Sequence, residues 1–75
     1  EEAGFRFRFS SQDGQEPPHV HVSGNGGGAK IWLVPAVRVQ KSRGYSRRQV
    51  EGLVRITEAH REEWLAAWRL YFAEA

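Results

Sequence analysis

The sequence contains no cysteine and no methionine. Without cysteine there is no disulfide framework, no thiol nucleophile and no thiolate-ligated zinc site. Such a chain suits a reducing compartment, and a cytoplasmic location is expected. Long apolar runs are also missing; those present fall well short of the roughly 20 residues that cross a bilayer, so no membrane association is expected. No charged-then-apolar start marks a signal peptide. The chain does not begin with methionine, which raises the expectation of an N-terminal element ahead of it. The absence that says most is of acid. Between Glu16 and Glu51 there is none, while Lys30, Arg38, Lys41, Arg43, Arg47 and Arg48 all fall there. The formal net charge is only +2, so charge is segregated along the chain rather than large in sum. A basic region of this kind attracts phosphates or an acidic protein, or serves simply as a solvated surface.

What remains fits one domain over residues 1–75 with one modest core. Gly4 to Ser10 reads G-F-R-F-R-F-S, the two-residue period of a half-buried strand: Phe5, Phe7 and Phe9 on one side, Arg6 and Arg8 on the other. A polar loop follows and ends at Pro17-Pro18, where a missing backbone donor and a fixed φ stop the strand. In His19 to Ser23, H-V-H-V-S, Val20 and Val22 are expected to face the core, with His19, His21 and Ser23 opposite. Asn25-Gly26-Gly27-Gly28 is a hairpin signal, because Asn and Gly tolerate positive φ. Lys30 to Val34 is a third strand of ambiguous facing; if Ile31 and Leu33 point inward, Lys30 and Trp32 share the outer face. Val37 and Val39, alternating with Arg38 and Gln40, predict a short fourth strand at an edge or after a bend, with Ser42-Arg43-Gly44 as a turn.

The helix start is well marked. Ser46 is a natural N-cap and Gln49 stands three residues on, so S-R-R-Q can close a capping box. Val50, Leu53, Val54, Thr57, Trp64, Ala67, Trp68, Tyr71 and Phe72 then recur at spacings of three and four, one apolar stripe. A single helix of that length spans about 40 Å. That is long for so small a sheet, so the pattern fits either one helix or two with a break near Ala59 to Arg61. The expected fold class is α+β: an antiparallel meander of three to four strands, with a C-terminal long helix or two-helix region packed on one face.

Two groups of residues can carry chemistry. His19 and His21 sit two apart in a strand, on one face and about 6.5 Å apart. With Arg6 and Arg8 from the neighbouring strand, and Lys30, Trp32 and Arg38 beyond, they compose a site for phosphodiester cleavage. One imidazole would act as base and the other as acid, a cation would stabilise the developing charge, and Trp32 would stack on a base. Lys41 and Arg43 extend the basic surface. The same residues without catalysis make a module that binds nucleic acid or protein. A metal-dependent enzyme is a further alternative, with His19 and His21 as ligands and His60, Glu63 or Asp13 completing the shell; the surrounding cations oppose it. The structural alternative is that both imidazoles bond to the Asp13–Pro18 loop. No cofactor motif accompanies them, and no cofactor is expected. Trp64, Trp68, Tyr71 and Phe72 are chiefly core, although one of the three tryptophans left exposed would serve as a partner anchor.

Taken in order, G-F-R-F-R-F, P-P-H-V-H-V, A-K-I-W-L, S-R-G-Y-S and E-A-H-R-E-E-W-L-A-A-W-R-L-Y-F resemble a bacterial family, domain of unknown function 4160 (DUF4160). The resemblance covers nearly the whole chain, and its most specific pieces are Pro18 to Val22 and Trp68 to Phe72. Members usually begin with a short segment before the first strand, here reduced to Glu1-Glu2-Ala3. Their genes often neighbour those of another small family, DUF2442, in a pairing similar to a toxin–antitoxin arrangement. The resemblance therefore implies a small DUF2442-like protein partner; RNA is a further expected target, on the strength of the basic face. It carries no settled mechanism and leaves open whether the protein is an enzyme.

Overall fold

The alternation of Phe and Arg produces the first strand, β1 (Arg6–Arg8), and three further strands follow it in a meander: β2 (His19–Gly24), β3 (Gly27–Trp32) and β4 (Arg38–Arg43). One helix, α1 (Arg47–Ala73), ends the chain. The computed structural model describes residues 4–9 and 13–73; residues 1–3, 10–12 and 74–75 lie outside the described residues, and with them the Glu1-Glu2-Ala3 segment. The strands pair antiparallel in the order β1-β2-β3-β4, which makes the architecture α+β.

Register sorts the side chains onto two faces. Phe7, Val22, Ala29 and Ser42 align across the sheet on one face, as do Val20, Ile31 and Val39 one step along. Val20, Val22, Ile31 and Leu33 are buried there with Phe5, and Leu53 and Leu65 of α1 close the core. The ambiguous third strand is resolved: Ile31 and Leu33 point inward and are fully buried. Each such aliphatic side chain contributes about 1.5–3 kcal/mol on leaving water. The phenylalanines pack against the helix. Phe7 packs on Trp64 with ring centroids 4.9 Å apart, and Phe9 packs edge-on to Trp68 at 5.2 Å.

The β2–β3 hairpin closes through Asn25 and Gly26, whose φ values of 50° and 83° are both positive, between the paired residues Gly24 and Gly27. Two consecutive left-handed residues give the turn whose twist suits a two-residue hairpin. At Gly27 a Cβ would collide with the Arg43 carbonyl and come within 2.7 Å of the Tyr45 ring. β4 is an edge strand, as expected, but it runs through Ser42 and Arg43, which pair with Ala29 and Gly28. The turn is confined to Gly44, at φ 81°. A bulge shifts the β3–β4 register after Lys30, so that Lys41 pairs with Lys30 and Val39 with Ile31. Alternation alone does not reveal an extra residue of this kind.

The capping box forms as the sequence predicts. The Gln49 amide donates to Ser46 Oγ at 3.1 Å, and the Ser46 amide donates to Gln49 Oε1 at 2.8 Å. From there α1 runs 27 residues without the break considered near Ala59 to Arg61. Arg61 itself anchors that region: its Nε donates to the Leu33 carbonyl at 2.7 Å, and an Nη to the Pro35 carbonyl at 3.3 Å. Leu53, Thr57, Leu65 and Trp68 are the buried helical positions. Leu65 lies beside the predicted stripe rather than on it, and Ala67 and Tyr71, both in the stripe, are exposed. Among the described residues no helix is long and apolar enough to cross a membrane.

Candidate functional site

The outer face of the sheet collects the cations. Arg8, His21, Lys30 and Lys41 lie in one row, each paired with the next across the four strands. At strand spacings near 4.8 Å the row spans about 14 Å. A second row holds Arg6, Ser23, Gly28 and Arg43, and a third His19, Trp32 and Arg38. Gly28 contributes no side chain to the middle of the second row. An open trough of about 540 Å³ results, lined by Arg8, His21, Ser23, Lys30, Lys41 and Arg43 among others. Arg6, Arg8, Arg38, Lys41 and Arg43 are exposed. Among the described residues none of these five makes an ion pair.

Lys30 differs from the other cations. Its Nζ lies 2.6 Å from Glu16 Oε1 and 4.8 Å from the centroid of the Trp32 ring. Trp32 is further flanked edge-on by His19, at 5.4 Å. A half-buried ring with a cation over it and an imidazole at its edge offers a stacked base only part of its surface. Glu16 was legible only as the last acid before the basic stretch; the fold returns it to that face, where it forms an internal counterion.

The two histidines do not share one environment. His21 is half-buried in the row between Arg8 and Lys30. His19 lies 5.0 Å away, ring to ring, yet it is 0% exposed. The expectation of two histidines open to substrate is corrected here, because the β1–β2 ladder ends at Arg8–His21, two positions short of His19. The Trp68 ring of the helix meets His19 there at 5.2 Å. The Nδ1 of His19 donates to the Pro17 carbonyl at 2.8 Å, which can only accept, so Nδ1 carries a proton. Its Nε2 lies 3.7 Å from Glu16 Oε1. The Pro17-Pro18 corner thus holds His19 by the structural bond considered as the alternative to catalysis.

The ligands imagined for a metal are dispersed. His60 stacks flat on Trp64, ring centroids 4.9 Å apart, and sits 3.1 Å from Glu63 Oε1 on the helix. The Asp13 side chain lies outside the described part of the structure. Among the described residues no group of three or more His, Asp or Glu is arranged to hold a metal ion. None of the tryptophans is exposed; the exposed large apolar side chains are Leu70 and Tyr71, near the end of α1.

The face thus presents exposed cations at strand spacing around an open trough whose middle, at Gly28, carries no side chain. Neither a comparison with curated proteins nor one with solved structures finds a match. The model of a domain of unknown function, DUF4160, matches residues 4–69, nearly the full length of the chain. A match of that extent over the sheet and most of the helix shows that the chain belongs to the DUF4160 family.

Proposed function

We propose that this protein is a non-catalytic binding module that holds the phosphodiester backbone of nucleic acid on the outer face of its sheet, in the cytoplasm. The observation that carries this reading is the cross-strand row of Arg8, His21, Lys30 and Lys41 beside Arg6 and Arg43, around the hollow at Gly28. Cations fixed at regular spacing neutralise successive phosphates and release their counterions. Burial of His19 supports binding over cleavage, because a two-histidine acid–base pair needs both rings within reach of substrate. Family resemblance adds a DUF2442-like partner in a toxin–antitoxin-like pair, and we take RNA as the nucleic acid. The exposed Leu70 and Tyr71 support a protein contact of some kind. Co-expression with the neighbouring gene product, scored for growth arrest and complex formation, tests that pairing.

Fluorescence anisotropy with labelled single-stranded RNA and duplex DNA, titrated from low to moderate salt, tests the binding itself. Affinity is expected to fall steeply with salt, and replacing Arg8 and Arg43 by Ala to reduce the log–log slope by about 1 per residue. Gly28→Val offers a second probe. The added Cβ meets only the Val22 carbonyl, at 3.6 Å, an ordinary contact, and Val favours strands. The variant should fold and bind nucleic acid more weakly. Salt-independent binding, or none with either probe, would reject this function.

A further inference from the structure

The other edge of the sheet carries a second surface. β1 is a terminal strand of the sheet, paired on one side with β2. Alongside it a groove of about 280 Å³ opens between the sheet and the second half of α1, lined by Phe7, Arg8, Phe9, Val20, Trp64 and Ala67. Ligand cavities for drug-sized molecules begin near about 300 Å³, so a groove of this volume suits an inserted side chain. Leu70 and Tyr71, exposed by 68% and 47%, continue the apolar surface beyond Ala67 along the same helix. Phe9 joins the two parts, since its ring meets Tyr71 at 6.0 Å.

Charge decides what can occupy this edge. A second copy of the chain is disfavoured. In a two-fold antiparallel β1–β1 pairing centred on Arg6, Phe7 or Arg8, which keeps both apolar faces on the same side, Arg6 or Arg8 of one copy stands opposite an arginine of the other. Like charges directly opposed across strands are destabilising, a recurrent defence of edge strands against self-association. The same arginines favour a strand that brings acids to the outer face.

We propose that the β1 edge is a docking site for an extended segment of a partner protein in which acidic and apolar residues alternate. The segment adds to the sheet as a fifth strand. Its acids lie beside Arg6 and Arg8, and an apolar side chain on its other face enters the groove between Phe7, Phe9 and Trp64. Main-chain pairing supplies affinity and the alternate side chains supply specificity. No nucleic acid is required for this contact.

A random octapeptide display library, selected on the whole protein, tests the site. Alternating acidic and apolar positions are expected among the selected peptides. A synthetic selected peptide should lose at least ten-fold in affinity when alternate backbone amides are N-methylated, which removes strand pairing and leaves its side chains in place. Ala67→Arg, at an exposed helical position, should weaken the peptide to a similar degree with an unchanged circular dichroism spectrum. Joint Arg6→Glu and Arg8→Glu replacement should shift the selected charge from acidic to basic. Selected peptides without alternation, or binding indifferent to both N-methylation and Ala67→Arg, would overturn the proposal. So would a dimer in light scattering that Arg6→Glu abolishes, since the occupant would then be a second copy.

Discussion

Single residues set local charge and local packing in this structure. Glu16 is an acid on an otherwise cationic surface, and its carboxylate lies 2.6 Å from Lys30 Nζ. It stands where a phosphate oxygen would meet the same cation. Glu16→Gln should therefore tighten nucleic-acid binding by a few-fold, at most about ten-fold, the scale of one partly exposed charge. Glu58→Gln, which removes an exposed acid from the helix, is the control and should change affinity less. Equal effects of the two variants would mean that net charge, not the position of Glu16, governs binding. Tyr45 acts on the fold. Its hydroxyl donates to the Gly24 carbonyl at 2.8 Å, and its ring stands edge-on to Phe5. Burial raises its pKa above the ordinary 10.0. The unfolded chain then ionises first, so this contribution to stability is full below the ordinary value and is lost as pH rises through the folded one. Denaturant unfolding from about pH 8 to about pH 11 should show a steeper loss for the native protein than for Tyr45→Phe, which has nothing to ionise there. Parallel curves would show that the hydroxyl does not titrate with folding.

At the scale of elements, the helix begins where local chemistry says it should, whereas β3 begins at Gly27, ahead of the Lys30 start expected of it. The reciprocal Ser46–Gln49 bonds satisfy donors of the first helical turn that otherwise lack partners. Ser46→Ala should cost about 1 kcal/mol in urea unfolding, while Ser46→Asp should cost little. An Ala variant as stable as the native protein would show that tertiary packing alone fixes the helix start. The hairpin was readable for the same kind of reason: Asn25-Gly26 can take two positive φ values in succession, and few other pairs can. The extent of β4 was not readable. It depends on a bulge after Lys30 and on pairing partners in β3, and nothing in R-V-Q-K-S-R marks the extra residue.

For the molecule as a whole, one aromatic seam joins sheet to helix. Trp68 touches Phe9, His19 and Phe72, and so ties the residue after β1, the start of β2 and the end of α1 together. Small domains bury a modest share of their surface and are marginally stable. Trp68→Ala, which empties a site only 6% exposed, should cost about 3–5 kcal/mol. Much of the protein should then be unfolded at room temperature by circular dichroism, whereas Tyr71→Ala, at an exposed site, should leave it folded. A native-like melting curve for the Trp68 variant would mean that the seam is not central to stability.

What the sequence determined by itself was periodic or local. A two-residue alternation sorts Phe from Arg, a spacing of three and four draws the helix stripe, and caps and turns use neighbours within four residues. Each of these is decided by bonds and sterics along the chain, so the α+β order and the outward cations are legible in the order of residues alone. Tertiary structure decided what depends on residues far apart in sequence. It aligned Arg8, His21, Lys30 and Lys41 in one row and returned Glu16 to that row. It also set Trp68 over His19, so two histidines with the same strand periodicity became one buried and one half-buried. Alternation specifies which side of a sheet a residue takes. Whether that side stays open is set by where the ladder ends and what the helix lays across it, and those depend on packing summed over the whole chain.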